Sequence, residues 1–295
     1  MPSPIAVFCY NRPDHLKRTI EGLKLCRLAD QSPLIIFSDG SKSAKDTKAV
    51  QEIRDYLPTV EGFASVTLHF SEQNKGLAHA IIEGVSQILE TSNTIIVLED
   101  DMLTATDFLE YMNDALHTYE HRHDIFSVSG YSPPIPFPSS YDNDVYLAAR
   151  TSSWGWATWK DRWQKAVWQF DYFDSLRKNG ALKQQITRGG EDLWPMFIKQ
   201  QLGVIDSWSI RWTFTQALHN GFSVYPVYPK IKNIGTDGSG TNFTSSTRYY
   251  DVELNEKKIR LDPDLSSNPG IEKCFKDYYR LSLFRKLVNW WRYRT

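Results

Sequence analysis

The strongest constraint on the fold is an alternation. Across residues 1–130 short apolar runs (IAVFCY, PLIIF, ASVTLHF, TIIVL, IFSVSG) take turns with amphipathic stretches: one from about Pro13, then Asp46 to Leu57, Leu77 to Glu90 and Phe108 to His121. Strand-like runs separated by helix-like segments at this spacing predict βαβ units and a mostly parallel α/β sheet. In such sheets ligands collect at the carboxyl ends of the strands. Each of those ends carries polar residues here: Asn11 and Arg12, then Asp39 in SDGS, then Asn74 and Lys75 in NKG, then Glu99, Asp100 and Asp101 in VLEDDM.

The acidic triplet poses the sharpest question. Carboxylates just past a strand also serve as turn formers and N-caps. Three in a row beside an apolar core, however, repel one another unless a cation offsets them. Mg²⁺ or Mn²⁺ suits that place, since it takes hard oxygen ligands and often only one or two from the protein.

Other features bound the function. The formal net charge of −1 gives no global attraction to nucleic acid, so no nucleic-acid partner is expected. The N-terminal MPSPIAVFCYNR lacks the pattern of a secretory signal, and no run reaches membrane-spanning length, so a cytoplasmic location is expected. Cys9, Cys26 and Cys274 are widely separated, which argues against a disulfide framework and against a CxxC zinc site. The aromatic share of 14% includes ten tryptophans, for most of which core filling is the default reading.

Beyond YSPPIPFP (131–138) the texture changes. RTSSWGWATWKDRW reads as a Trp/Gly-rich turn leading into a short helix, and VIDSWSIRWTFTQALHNG as a helix that starts at Asp206 and stops at Gly221. FSVYPVY is strand-like. NIGTDGSGTN (233–242) is glycine-rich with no helix behind it, hence a flexible loop and not a Walker loop. No internal repeat is visible. The expected organisation is residues 1–130 as a ligand-binding α/β half, 131–260 as the second half of the same domain, and 261–295 as a basic aromatic tail.

Taken together, PIAVFCYNRPDHLKRTIEGL, FSDGS, NKGLAHAIIEGV, VLEDDM, SSWGWATW and DSWSIRW followed by NIGTDGSGTN resemble the nucleotide-sugar glycosyltransferases of the GT-A fold, in particular bacterial glycosyltransferase-2-like enzymes related to N-acetylglucosaminyltransferase I. The resemblance covers residues 4–245 and rests on the order of the motifs. It implies a Rossmann-like GT-A sheet flanked by helices, a nucleotide-sugar donor, a glycan or lipid-linked acceptor in cell-surface polysaccharide synthesis, and Mn²⁺ or Mg²⁺. Tyr10, Asn11 and Arg12 would hold the nucleotide, Asp39 the base, uracil by preference, and Lys75 would lie close by. Asp101 would be the metal ligand, with Asp100 near the ribose or the metal's waters. Where the family often closes the glycine-rich loop with His, this chain has Asn242, which removes that third ligand.

Glycosyl transfer builds negative charge on the departing diphosphate, which a metal stabilises, and needs a base for the acceptor hydroxyl. An inverting enzyme needs one such base and no protein nucleophile. Asp206, Glu191 and Asp192 are the candidates. Trp208 beside Asp206 would raise its pKa by desolvation; the competing reading makes Asp206 a helix cap. Trp154 and Trp156, flanking Gly155, are either a sugar-facing wall or a packed lid, while Arg150 and Arg162 read as structural partners of acids. The tail KDYYRLSLFRKLVNWWRYRT (276–295) sets six Lys/Arg against one Asp. It is either a helix at an anionic membrane surface or one packed on the domain. The rival functions are a sugar nucleotidyltransferase, which would place a glycine-rich lysine loop where YNRPDH stands, and a catalytically silent carbohydrate-binding protein.

Overall fold

The structure is a computed structural model that describes residues 1–170, 173–235 and 252–293. The predicted alternation is present. Strand β1 (Ile5–Cys9) leads to helix α1 (Pro13–Lys24), β2 (Pro33–Ser38) to α2 (Thr47–Tyr56), β3 (Ser65–Phe70) to α3 (Leu77–Thr91), and β4 (Thr94–Glu99), through a short β5 (Met102–Thr104), to α4 (Phe108–Thr118) and β6 (Ile125–Ser129). Period-two alternation divides β1 between two cores. Ile5, Val7 and Cys9 pack with α1 and α4 on one face, Ala6 and Phe8 with α3 on the other. In α1 the buried residues are Leu16, Thr19, Ile20 and Leu23, the 3.6-residue stripe of a helix lying on a sheet.

The second half adds β7 (Val145–Ala148), β8 (Trp156–Trp159), α5 (Lys160–Trp163), α6 (Phe173–Arg177), α7 (Gly180–Ile186), α8 (Leu193–Gln201), α9 (Trp208–Leu218), β9 (Phe222–Pro226), β10 (Ile231–Asn233), α10 (Pro269–Tyr278) and α11 (Leu283–Tyr293). The main sheet has the order β3-β2-β1-β4-β8-β6-β9-β7, and β5 pairs separately with β10. Strands β3, β2, β1 and β4 are mutually parallel; β8 runs antiparallel between β4 and β6.

That insertion corrects the reading of SSWGWATW as a turn into a helix. WATW is a fully buried strand, and its aromatic and β-branched side chains suit a pleated position between two others. The sheet therefore runs without a break across residue 130.

Most tryptophans fill the core, as their composition suggests. Trp156 stacks on Trp208 at 4.8 Å and on Trp163 at 5.6 Å, and Trp163 meets Trp212 at 5.1 Å. Each such ring pair contributes about 0.5–1.5 kcal/mol beyond its area. Trp156 is consequently not a sugar-facing wall; its ring lies inside the sheet–helix layer. The three cysteines are free thiols. Among the described residues no helix is long and apolar enough to cross a membrane.

The chain steps outward from β1 to β2 and β3, then returns to place β4 on the other side of β1. The carboxyl ends of β1 and β4 thus flank the topological switch point, where a crevice opens in sheets of this kind. Because β8 is antiparallel to β4, the loop before it (residues 151–155) lies along the same edge. Helix α9 precedes β9, which runs parallel to β6, so its N-terminus also faces that edge.

Candidate functional site

The cation that the acidic triplet requires comes from the chain itself. Arg12, one turn beyond β1, forms an ion pair with Asp100 through Nη2 and with Asp101 through Nη1, the latter at 2.9 Å. Burial lowers the pKa of this guanidinium, and the two carboxylates outweigh that effect, leaving it above its ordinary value. The Tyr10 backbone N–H donates to Asp100 Oδ2 at 3.3 Å. Burial pushes Asp100 up to about 6, Arg12 opposing the shift and Asp101 adding to it. Burial, then Asp101 and Asp100, push Glu99 up to about 8.

The acidic turn is fixed from below by Thr19, whose hydroxyl donates to the Asp100 carbonyl at 2.8 Å and accepts from the Met102 N–H at 3.1 Å. From the other side comes the start of the glycine-rich segment, which here is ordered by β10 and not a loop from its first residue. Asn233 donates to Asp101 Oδ1 at 3.1 Å, the Ile234 N–H to the Asp101 carbonyl at 2.8 Å, and the Gly235 N–H to Asn233 Oδ1 at 2.8 Å. A methyl on Gly235 would overlap Asp101 Oδ2 and approach Arg12 Nη1 to 2.9 Å, so only glycine fits against the acid. Residues 233–235 are thus part of the site. The sequence signals for this were the glycine itself and the place of NIGTDGSGTN among the resembling motifs; Asn242, at the far end of the same motif, lies outside the described residues. Beside the acids a cleft of about 420 Å³ is lined by Asn11, Arg12, Pro13, Asp14, His15, Arg18 and Ile234, a size that suits a small ligand.

The remaining residues read from the sequence distribute unevenly. Asn11 donates to Asp46 at 2.9 Å, and the Tyr10 hydroxyl accepts from the Lys42 N–H at 2.9 Å, so both tie the β1 end to the loop before α2. Asp39 accepts from the N–H groups of Gly40, Lys75 and Gly76 at 2.8, 2.8 and 2.9 Å and from the Asn74 amide at 3.0 Å. Four donors use the acceptor sites of one carboxylate, so Asp39 holds the NKG turn against β2. Lys75 turns away to Glu83 on α3 at 2.5 Å. Trp154 is half-buried, edge-on to Tyr131 at 4.6 Å.

Of the candidate bases, Asp192 and Glu191 are each held in an ion pair. Asp192 meets Arg150 with both oxygens, at 2.8 and 3.0 Å, and Arg150 also covers the Tyr279 ring at 3.9 Å. Glu191 accepts from the Leu281 N–H at 3.1 Å and from Lys286 at 2.7 Å, which together outweigh burial and hold its pKa below the usual value. Glu191 thus ties the C-terminal helices to the domain directly, and Asp192 does so through Arg150. Arg162 pairs with Asp161 and donates to the carbonyls of Tyr119 and Glu120, just past α4, and of Ile125 at the start of β6.

Asp206 is not the cap of α9. Ser207 caps α9, its side chain accepting from the Ile210 N–H, while Asp206 stands outside the helix, 71% exposed at its side chain and paired with Arg211. Trp208 points into the core and stacks on Trp156, so it does not desolvate Asp206. What the structure retains is position: Asp206 lies at the N-terminus of α9, on the sheet edge that carries the acid pair.

The donor set around Asp101 fits a hard divalent cation, since among the described residues each of its side-chain oxygens accepts one hydrogen bond or ion pair and keeps a second lone pair. Among the described residues no three His, Cys, Asp or Glu side chains converge on one point.

Residues 5–181 match the family described as Glycosyl transferase family 2. An alpha-1,3-mannosyl-glycoprotein 2-beta-N-acetylglucosaminyltransferase of Arabidopsis thaliana is 25% identical over 204 residues, which is 62% of this chain and 44% of that protein. The chain therefore spans under half the length of that relative. The crystal structure of S. aureus TarS aligns at a TM-score of 0.41 with 11% identity, over 76% of this chain and 35% of the other.

Proposed function

The chain belongs to glycosyl transferase family 2, and from that membership we propose that it moves a sugar from a nucleotide diphosphate, held at the carboxyl ends of β1 and β4 with Mn²⁺ or Mg²⁺ on Asp101, to a hydroxyl of a glycan or lipid-linked acceptor. It is a glycosyltransferase with a GT-A type sheet. The observation that carries the finer reading is the meeting of Arg12, Asp100 and Asp101 at the topological switch point, beside a cleft of ligand size. A hexose or N-acetylhexosamine is the sugar the resemblance favours, on a uridine nucleotide, for cell-surface polysaccharide.

When bound, the metal supplies a Lewis acid for charge on the departing diphosphate. The chain's own groups do the rest. Arg12 lines the cleft and already bridges the two acids, so it keeps them compensated before substrate arrives and presents its free N–H groups to phosphate oxygens. Asn233 and Gly235 hold the Asp101 carboxylate in one orientation. Asp206, at the same sheet edge, takes the proton of the acceptor hydroxyl as it attacks, a single displacement that inverts the anomeric centre. The Arg211 contact orients Asp206 and is exposed enough to be shared with an acceptor.

The test is a thermal-shift panel of UDP-, GDP- and dTDP-sugars with and without Mn²⁺, on the full chain and on Asp101→Asn. A UDP-sugar should raise the melting temperature only when the cation is present, and not in the variant. Stabilisation that persists in excess chelator would remove the metal from the reading, and a larger shift with GDP-sugars would remove the uridine preference.

A further inference from the structure

Helix α11 turns an exposed apolar face outward. Among the described residues Leu283, Phe284, Leu287 and Trp291 are 80, 76, 66 and 71% exposed. They recur at i, i+1, i+4 and i+8, so they share one face about 100° wide. The opposite flank seats the helix on the domain. Asn289 is buried, the Tyr293 carbonyl accepts from Arg177 at 2.6 Å, and Lys199 of α8 covers the Tyr293 ring at 5.2 Å. Glu191 fixes the start of the helix through the Leu281 N–H and Lys286. The stripe is therefore held outward by a folded platform.

Charge identifies what covers it. The whole chain is balanced, with 34 Lys/Arg against 35 Asp/Glu, yet residues 276–295 set six against one. On α11 itself Arg285, Lys286 and Arg292 lie to the polar side of the stripe, and Arg285 and Arg292 make no ion pair among the described residues. Leu, Phe and Trp on one side of a helix, with long cationic side chains able to snorkel on the other, match the layered chemistry of an anionic bilayer surface. A protein groove would match the stripe without calling for the excess of positive charge.

We propose that α11 lies in the interface of a membrane containing anionic lipid, its Leu/Phe/Trp face among the acyl chains and Arg285 and Arg292 at the headgroups. The contact is peripheral, because the helix is far shorter than a membrane span. It seats on α8, in the half of the molecule that follows residue 130, so the anchor is separate from Arg12 and the acid pair.

The experiment is cosedimentation of the full chain with vesicles of phosphatidylcholine alone or of phosphatidylcholine mixed with phosphatidylglycerol. The wild type should partition onto the anionic vesicles about tenfold or more above the neutral ones at low salt, and lose that preference at high salt. Leu287→Glu/Trp291→Glu should abolish pelleting, and Arg285→Ser/Arg292→Ser should remove most of the anionic preference. These positions are exposed, so unchanged melting curves are expected; should the Glu pair fail to fold, the Ser pair carries the test. Wild-type binding no greater than in vesicle-free controls would overturn the proposal. So would equal binding by wild type and the Glu pair, or a vesicle-free dimer that the Glu pair converts to monomer, which would give the face to a second copy of the chain.

Discussion

Lys230→Met should be among the most damaging single changes in the molecule, and through a route that reaches the site. Lys230 has no exposed surface, and its ammonium spends all three hydrogens: on Asp107 at 2.5 Å and on the carbonyls of Asn255 and Lys257 at 2.7 Å each. Asp107 is buried too, and its second oxygen has no partner among the described residues. Methionine preserves the stem but strands a buried carboxylate, a defect that costs about 3–5 kcal/mol. Against a total stability of about 5–15 kcal/mol this is a large fraction. Adding Asp107→Leu should return most of the loss, because an apolar pair of similar volume is close to neutral. The assay is urea unfolding followed by tryptophan fluorescence, with the coupling taken from the double-mutant cycle. Lys230 immediately precedes β10, which carries Asn233 to Asp101. Donor affinity of the folded Lys230→Met protein should therefore fall as well. A single-variant loss under about 1 kcal/mol, or simple additivity in the double variant, would refute the reasoning.

Three further outcomes follow from the same geometry. Gly235→Ala should leave the melting temperature within a few degrees of wild type yet weaken nucleotide-sugar binding in calorimetry, because the methyl displaces the Asp101 carboxylate. Arg12→Met should lower the unfolding free energy by about 3 kcal/mol by removing the cation between Asp100 and Asp101, and adding Asp100→Asn should recover part of it in the same denaturation assay. Ser207→Ala should cost about 1 kcal/mol as the loss of a helix cap, while Asp206→Asn should stay within about 0.5 kcal/mol and lose orders of magnitude in transfer rate; destabilisation by the Asn variant would instead make Asp206 a structural residue.

What the sequence determined alone is the part governed by short-range chemistry. Apolar runs of strand length, amphipathic periods between them and polar residues at strand ends were enough for the βαβ order, for the edge of the sheet that matters, and for Arg12, Asp100 and Asp101 as its charged residues. Those patterns repeat every two or every 3.6 residues, so a local window contains them. Tertiary structure decided everything that depends on which distant groups meet. It gave the acidic triplet a cation 88 residues away in the chain, in Arg12. It turned WATW into a central antiparallel strand, since a four-residue run carries no record of its neighbours. It spent Asp39, Glu191 and Asp192 on turns and staples, because the donors that claim them come from other loops and helices. It also faced the Trp208 ring inward, leaving Asp206 in water. A carboxylate's residue type is written in the chain; whether it binds, caps or catalyses is settled by the partners that folding brings within hydrogen-bonding distance.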